Sequence, residues 1–299
     1  KERMHKFLRA AGFSMYQKKR DINILLRCLS KEARCSRCFQ IDRETSIYEL
    51  KTELADGIGI AMYGELDDKD ELEIEYYYPY LLNKEVTSKA DCSIQRHTEK
   101  ETYAGLLDEY KVGISLIFYL LNPIEYRERL MKGDSRARVE SASLSAFSVY
   151  GKVLLPVNKT ARQIEKAKVA SRNRDNLLEA AKNGDEDAME SLTIEDIDLY
   201  SQASRRVVKE DIYSIVDTCF MPSGIECDQY SILGEIKDVA LKKNRITGEE
   251  IYDMMLECND LYFRVGINKM DLLGEPAMGR RFKGKIWMMG TANFRDRRI

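Results

Sequence analysis

Two short stretches near the C-terminus resemble motifs with which proteins bind nucleotides. Asn268-Lys269-Met270-Asp271 matches the N-K-x-D pattern that reads guanine in GTPases, and the residues from Gly279 to Lys285 match the G-x-x-x-x-G-K of a phosphate loop. A phosphate loop needs a glycine-rich turn that opens a helix, with Ser or Thr after the lysine to hold magnesium. Ile286 follows the lysine here, and the surrounding residues alternate as in a strand. We therefore predict that neither stretch binds a nucleotide.

The cysteines offer a second kind of chemistry. Cys35 and Cys38 form a C-x-x-C pair, and Cys92 with His97 could complete a zinc site. The gap between Cys38 and Cys92 is long, and the chain has no second C-x-x-C pair. A redox motif would have a helix after it, whereas an amphipathic helix comes before this pair. Seven cysteines without framework spacing are typical of reduced thiols, so we expect no metal, no cofactor and a cytoplasmic location.

The stretch "FMPSGIECDQYSILGEI" (residues 220–236) brings three reactive side chains to the predicted start of a strand. Glu226 and Asp228 share one face of an extended chain and could bind a cation or an amine. Their charges disfavour a thiolate on Cys227, so we do not expect a nucleophile there. Together with Arg205 or Arg206 these residues are the candidate ligand-binding site. The alternative is a polar turn with solvated acids.

Composition limits the partners of the chain. Its 48 basic and 50 acidic residues leave a net charge of −2, so no overall field attracts nucleic acid or an anionic membrane. The last 20 residues are basic with interleaved aromatics, a pattern that nucleic-acid-binding proteins also have. We interpret the lysines there as the solvent face of an edge strand. The longest apolar run, residues 114–121, is too short to span a bilayer, and the first residues lack a signal-peptide core.

Hydrophobic periodicity predicts an α+β protein with a mainly antiparallel, β-rich body and a helical insertion in the middle of the chain. Residues 72–78 alternate between apolar side chains and glutamates, and the polar turn Asp67-Asp68-Lys69-Asp70 joins them to an earlier strand. The same reasoning predicts a brief strand before Asp21, further strands at 103–121, 142–157, 261–268 and 281–289, and helices at 22–29, 158–182, from Thr193 onwards and at 251–258.

These elements suggest three portions. Residues 1–157 form a β-rich N-terminal portion with one early helix, and residues 158–219 form a charged helical arm. Residues 220–299 form a C-terminal β-rich portion with one helix, which could join residues 1–157 in one composite domain. The helix at 251–258 is predicted from a Thr247 and Glu250 capping pair and from the apolar stripe that follows it.

Four segments carry a resemblance to a known family. They are "MHKFLRAAGFS" (4–14), "GDEDAMESLTIEDIDLYSQASRR" (184–206), residues 220–236 and "RRFKGKIWMMGTANF" (280–294). With these segments the chain resembles an uncharacterised domain-of-unknown-function family of clostridial-type Firmicutes. The resemblance implies a bacterial, cytoplasmic, stand-alone protein, and it implies no catalytic residues.

Two functions remain open from the sequence. The first is a non-catalytic intracellular protein that binds a protein partner or a small ligand through its β-rich body and its charged helical arm, with a homo-oligomer left open. The second is an enzyme or ligand-binding protein with a carboxylate and arginine site near Glu226 and Asp228, since only His5 and His97 could supply an imidazole. A converging pocket would favour the second function, and an apolar seam along residues 158–219 would favour a partner.

Overall fold

The computed structural model describes residues 6–41, 45–96, 102–133, 137–157, 161–207, 216–225 and 227–295. The helices are α1 (Lys19–Glu32), α2 (Pro123–Met131), α3 (Ala161–Lys182) and α4 (Glu186–Val207), with short 3-10 helices at Arg9–Ala11, Tyr110–Val112 and Lys269–Asp271. The strands are β1 (Arg34–Gln40), β2 (Ser46–Ala55), β3 (Ile58–Leu66), β4 (Leu72–Leu81), β5 (Cys92–Arg96), β6 (Tyr103–Glu109), β7 (Ile114–Leu120), β8 (Val139–Leu154), β9 (Cys219–Pro222), β10 (Gln229–Lys243), β11 (Glu250–Cys258), β12 (Leu261–Asn268), β13 (Leu272–Leu273) and β14 (Arg281–Phe294).

The first sheet is a four-stranded antiparallel meander in the order β1-β2-β3-β4. Helix α1 supplies its apolar stripe of Ile22, Leu25, Leu26 and Leu29 to the same core as this sheet. Both the helix and the β3–β4 strand pair were predicted from the sequence, and the structure confirms them. Asp67 Oδ1 closes the connecting turn by accepting hydrogen bonds from the backbone of Lys69 and Glu71.

The second sheet closes on itself into a five-stranded barrel. Around the ring, β8 pairs with β12, β12 with β11, β11 with β10, β10 with β14, and β14 with β8 again. Only the β8–β12 contact within this ring is parallel. Because β8 precedes the helical arm and the other four strands follow it, the barrel combines chain from both sides of the arm.

Strands β7, β6 and β5 extend the sheet beyond β14, so the sheet has a closed part, which is the barrel, and an open part, which is this extension. The barrel interior and this extension share one apolar core, and the four-stranded sheet with α1 has a second core against the outside of the barrel. Gly266 allows this close approach, since a Cβ there would lie 2.7 Å from the ring of Phe147 and 3.4 Å from Leu81 of β4.

The helical arm is an antiparallel hairpin of α3 and α4. Gly184 turns the chain with a φ of +91°, as the left-handed cap predicted from the sequence requires. Arg174 of α3 joins the two helices through Asp196 at 2.8 Å and Glu195 at 3.5 Å. Ser171 Oγ donates a hydrogen bond to Asp260, in the β11–β12 turn, which holds α3 against the barrel.

Three predictions about local elements were wrong. Residues 251–258 form strand β11 rather than a helix. Both faces of this strand are buried, so its sequence lacks the alternation of apolar and polar residues by which a half-exposed strand is recognised. The described segment before α1 is helical at residues 6–11 and irregular at residues 12–18, so the predicted brief strand is wrong. The second arm helix begins at Glu186, where Asp185 Oδ1 accepts the backbone N–H of Ala188, so Thr193 lies inside the helix.

The class of the fold was predicted correctly. Strand residues make up 48% of the chain and helical residues 27%, and the pairings are mainly antiparallel, as in an α+β protein. Within the described ranges, no helix has both the length and the apolar character that a membrane crossing requires.

Candidate functional site

A pocket of about 550 Å³ opens where β5, α2 and the start of β8 meet. Strand β5 lies at one end of the barrel sheet, and α2 crosses from β7 toward β8. The seven described residues that line the pocket are Cys92, Ser93, Ile94, Tyr126, Ala137, Arg138 and Val139. Its volume is in the range of natural small-molecule sites, roughly 300–1,000 Å³.

Aromatic packing fixes the wall that α2 contributes. The ring of Tyr126 stands edge-on to Tyr103 with a centroid distance of 5.3 Å, and it is stacked on Phe294 at 6.3 Å. The guanidinium of Arg129 lies over the ring of Phe294, 5.0 Å from its centroid. Contacts of this kind hold a ring in one orientation, so the pocket keeps a preformed aromatic wall.

Among the described lining residues, one side chain is charged. Arg138 is exposed at the rim, and its backbone oxygen accepts a hydrogen bond from Arg295, which ties the start of β8 to the end of β14. Burial, and secondarily the charge of Asp108, raises the pKa of the Cys92 thiol to about 12, so this thiol is neutral at physiological pH. Burial also raises the pKa of Tyr126. Arg138 is therefore the only ionised lining side chain among those that the structure describes.

The described lining can be compared with what catalysis and binding each require. Catalysis by proton transfer needs an acid or base that titrates near the working pH, and nucleophilic catalysis needs an activated thiol, hydroxyl or amine. Among the seven lining residues that the structure describes there is no carboxylate and no imidazole, and the high pKa of the Cys92 thiol keeps it protonated. A guanidinium beside apolar and aromatic walls is instead suited to a small ligand with an anionic head and an apolar body.

The site predicted near residue 228 has a different character. Asp228 is buried, and its Oδ2 accepts a hydrogen bond from Trp287 Nε1 at 2.8 Å. The Cys227 Sγ accepts the backbone N–H of Gln229, which makes the thiol part of the turn. Trp287 is in turn stacked on Phe7, so Asp228 helps anchor the N-terminal segment to the barrel.

The side chains of the other members of that predicted site are outside the described part of the structure. Glu226 lies outside the described residues, and Arg205 and Arg206 belong to the last turns of α4, with side chains outside the described part. Their grouping into one ligand site stays a prediction.

The N-K-x-D stretch serves a structural purpose. Asn268 caps the 3-10 helix that follows it by accepting the backbone N–H of Met270. Its amide also donates to the Glu249 carboxylate, which binds the backbone N–H and hydroxyl of Ser14. Asp271 receives two hydrogen bonds from Arg9, at 2.6 and 2.7 Å. These side chains therefore dock the N-terminal segment onto the barrel.

The stretch that resembles a phosphate loop is part of a strand, as its alternation predicted. Residues 281–285 belong to β14, and no helix follows them within the described part of the chain. The interpretation of Lys283 and Lys285 as protection of an edge was wrong, because β14 has neighbours on both sides, β10 and β8.

The C-x-x-C pair lies on the small sheet and Cys92 on the barrel sheet. The Cys35 side chain and His97 are outside the described part, and Cys38 is an exposed free thiol. Within the described residues, no three His, Cys, Asp or Glu side chains are grouped so that they could hold a metal ion.

Sequence reasoning missed the pocket because its residues come from three separate segments. Residues 92–94, 126 and 137–139 share no motif or spacing. Cys92 was considered only as a zinc ligand, and nothing in the local pattern around Arg138 indicates a binding residue.

The comparison with known proteins identifies a family but no activity. No curated protein and no solved structure shows significant similarity to the chain. A family model described as "Domain of unknown function, E. rectale Gene description (DUF3881)" matches residues 8–290, which is nearly the whole chain. The chain therefore belongs to this family, as its resemblance to a clostridial family of unknown function predicted.

Proposed function

We propose that this protein is a non-catalytic, cytoplasmic binding protein whose ligand is a small carboxylate with an apolar or aromatic body. The observation that supports the proposal is the pocket at β5, α2 and β8, in which one guanidinium accompanies apolar and aromatic walls. The six cysteines with described side chains are free thiols, as suits a reducing compartment.

The walls define the shape of the ligand. Ile94, Ala137 and Val139 supply aliphatic surface, and Tyr126 supplies an aromatic face. A planar ring can lie between them while its acid group reaches Arg138 at the rim. An Arg–carboxylate contact is often bidentate and carries direction as well as charge, so it would set which way the ligand enters.

The described lining is compatible with an anionic ligand. A carboxylate ligand would be repelled by an acidic lining, and the seven lining residues within the described part of the chain contain no acid. The neutral Cys92 thiol is compatible with an apolar ligand body, since a thiol in this protonation state behaves as a small hydrophobic group.

The test compares two probes of nearly the same shape, phenylacetate and phenylacetamide, by isothermal titration calorimetry and ligand-observed NMR. Phenylacetate should bind and the neutral amide should bind at least about 10-fold more weakly, because a charge-assisted hydrogen bond contributes about 1.5–3 kcal/mol. Equal binding of both probes, or binding of neither, would contradict the assignment of an anionic ligand.

Two variants locate the binding. Arg138→Gln should weaken phenylacetate binding by roughly 10-fold or more. Lys132→Gln removes one exposed positive charge just after α2 and outside the lining, and it should change binding less than about 2-fold at 0.15 M salt. If both variants weaken binding equally, the effect is long-range charge and the pocket is not the site.

A further inference from the structure

The α3–α4 hairpin exposes an apolar centre on its outer face. Ile194, Ile197 and Tyr200 of α4 are 55%, 60% and 76% exposed, and Val169 of α3 is 48% exposed. Because the helices are antiparallel and joined at residues 183–185, the middle of α3 lies beside the middle of α4. These four side chains therefore lie in the central part of the hairpin.

The two ends of the same hairpin carry opposite charges. At the tip, the exposed side chains of Glu179, Glu186, Asp187 and Glu190 are acidic, and the nearby Lys182 is paired with Asp91 of the body. All four acids lie within about two helical turns of the connecting residues 183–185.

At the opposite end, which we call the base, α3 begins with exposed basic side chains. Arg162 and Lys166 are exposed, and Glu165 beside them is the one exposed acid among the described side chains of residues 161–172; Arg172, also exposed, lies farther along α3, between Val169 and the tip. Along the described side chains, the tip is acidic, the centre carries the exposed apolar residues together with Asp196 and Asp198, and the start of α3 at the base is mainly basic.

We propose that this face is a homodimer interface in which the hairpins of two copies of the chain pack antiparallel as a four-helix bundle. A two-fold axis through the apolar centre places the acidic tip of each copy on the basic base of the other. Such an isologous contact satisfies both ends at once, and it buries the apolar centre of one copy on that of its partner. A parallel arrangement would instead oppose like charges.

The size of the face is sufficient for a stable dimer. Each helix has 22 residues and is therefore about 33 Å long. Two helices spaced by about 9 Å present a face of roughly 600 Å² per copy, or roughly 1,200 Å² in total. This is at the lower limit of specific interfaces, so the dimer should form in the micromolar range and weaken with salt.

Charge exchange between copies provides the decisive experiment. Variant A carries Glu186→Lys, Asp187→Lys and Glu190→Lys, which leaves Glu179 as the one acid of the four, so its tip and base are both basic. Variant B carries Arg162→Glu and Lys166→Glu, so its tip and base are both acidic. Alone, each should dissociate at least 10-fold more readily than the unmodified protein in sedimentation equilibrium, and an equimolar mixture should form an A–B dimer of restored affinity.

A second pair of variants tests the apolar centre. Ile197→Glu should give a monomer by light scattering at concentrations where the unmodified protein is a dimer. Met278→Glu places the same change at a side chain that is 71% exposed on a loop outside the hairpin, and it should leave the dimer intact. Circular dichroism checks that each variant is folded. A monomeric unmodified protein at about 100 µM, well above the expected micromolar range, would overturn the proposal, as would failure of A and B to associate.

Discussion

Asp253 offers a direct test of how the barrel is held together, because its carboxylate is completely buried between two cations. Arg264 Nε donates to Oδ1 at 2.8 Å, and Lys242 Nζ lies 2.6 Å from Oδ2. The three side chains come from adjacent strands β11, β12 and β10. Replacing Asp253 by alanine leaves both cations partly buried without this carboxylate.

The expected loss in the free energy of unfolding depends on which contacts each cation keeps in the variant. Breaking a buried ion pair by removing one partner costs about 3–5 kcal/mol. Lys242 keeps a contact with the backbone oxygen of Asp56 at 2.6 Å, so most of the loss arises at Arg264. We therefore expect Asp253→Ala to lower the free energy of unfolding by about 3 kcal/mol, the lower end of that range. Asp253→Asn keeps an oxygen acceptor for Arg264 and should cost about half as much.

Urea unfolding measured by the fluorescence of Trp287, the single tryptophan, reports the loss directly. Its ring is buried between the four-stranded sheet and the barrel, so its emission follows the packing of both. In thermal unfolding the alanine variant should melt roughly 5 °C lower.

Asp238→Asn is the matched control, since Asp238 is an exposed aspartate on the neighbouring strand β10. It should change the free energy of unfolding by no more than about 0.5 kcal/mol. Equal effects of Asp253→Ala and Asp238→Asn would refute the reasoning, because the buried ion pairs of Asp253 would then stabilise the fold no more than an exposed aspartate does.

Three further outcomes are expected. Tyr63→Phe should cost about 1–3 kcal/mol in urea unfolding, because the buried hydroxyl donates to the buried Glu49 carboxylate at 2.5 Å, and an unchanged midpoint would contradict this. Burial raises the pKa of Cys92 and of Tyr230 to about 12. The stability that these two protonated groups contribute is complete below their pKa values in the unfolded chain, about 8.5 and 10, and is lost as the pH rises toward 12. The melting temperature should therefore fall between about pH 8 and 11.5, and a level profile would refute this. Asp271→Ala should lower stability by about 1–3 kcal/mol through the loss of the two bonds from Arg9, and neither form should bind GTP by calorimetry; GTP binding abolished by the substitution would restore the GTPase interpretation.

Much of the β structure could be predicted because local patterns and burial agree there. Strand β4 has one face toward the core and one toward solvent at its start, so its glutamates alternate with apolar side chains. Strand β11, in contrast, could not be predicted from its local pattern. Its apolar residues fit a helical stripe equally well, and only closure of the barrel buries both faces of the segment.

The candidate site shows the same limit. The turn at residue 227 and the N-K-x-D stretch attracted attention because reactive side chains are adjacent in the sequence, and the described contacts there are structural. The pocket instead combines single side chains from β5, α2 and β8, whose meeting depends on how the sheet curves and where α2 crosses.

The sequence by itself determined the α+β class, the family, the helical arm and the absence of a phosphate-loop context, because each depends on local composition and periodicity. Only the tertiary structure decided that β8 closes the barrel with strands from beyond the arm, and that Arg138 faces a pocket with Tyr126. These features depend on contacts between residues far apart in the chain, and no local pattern specifies which distant segments will meet.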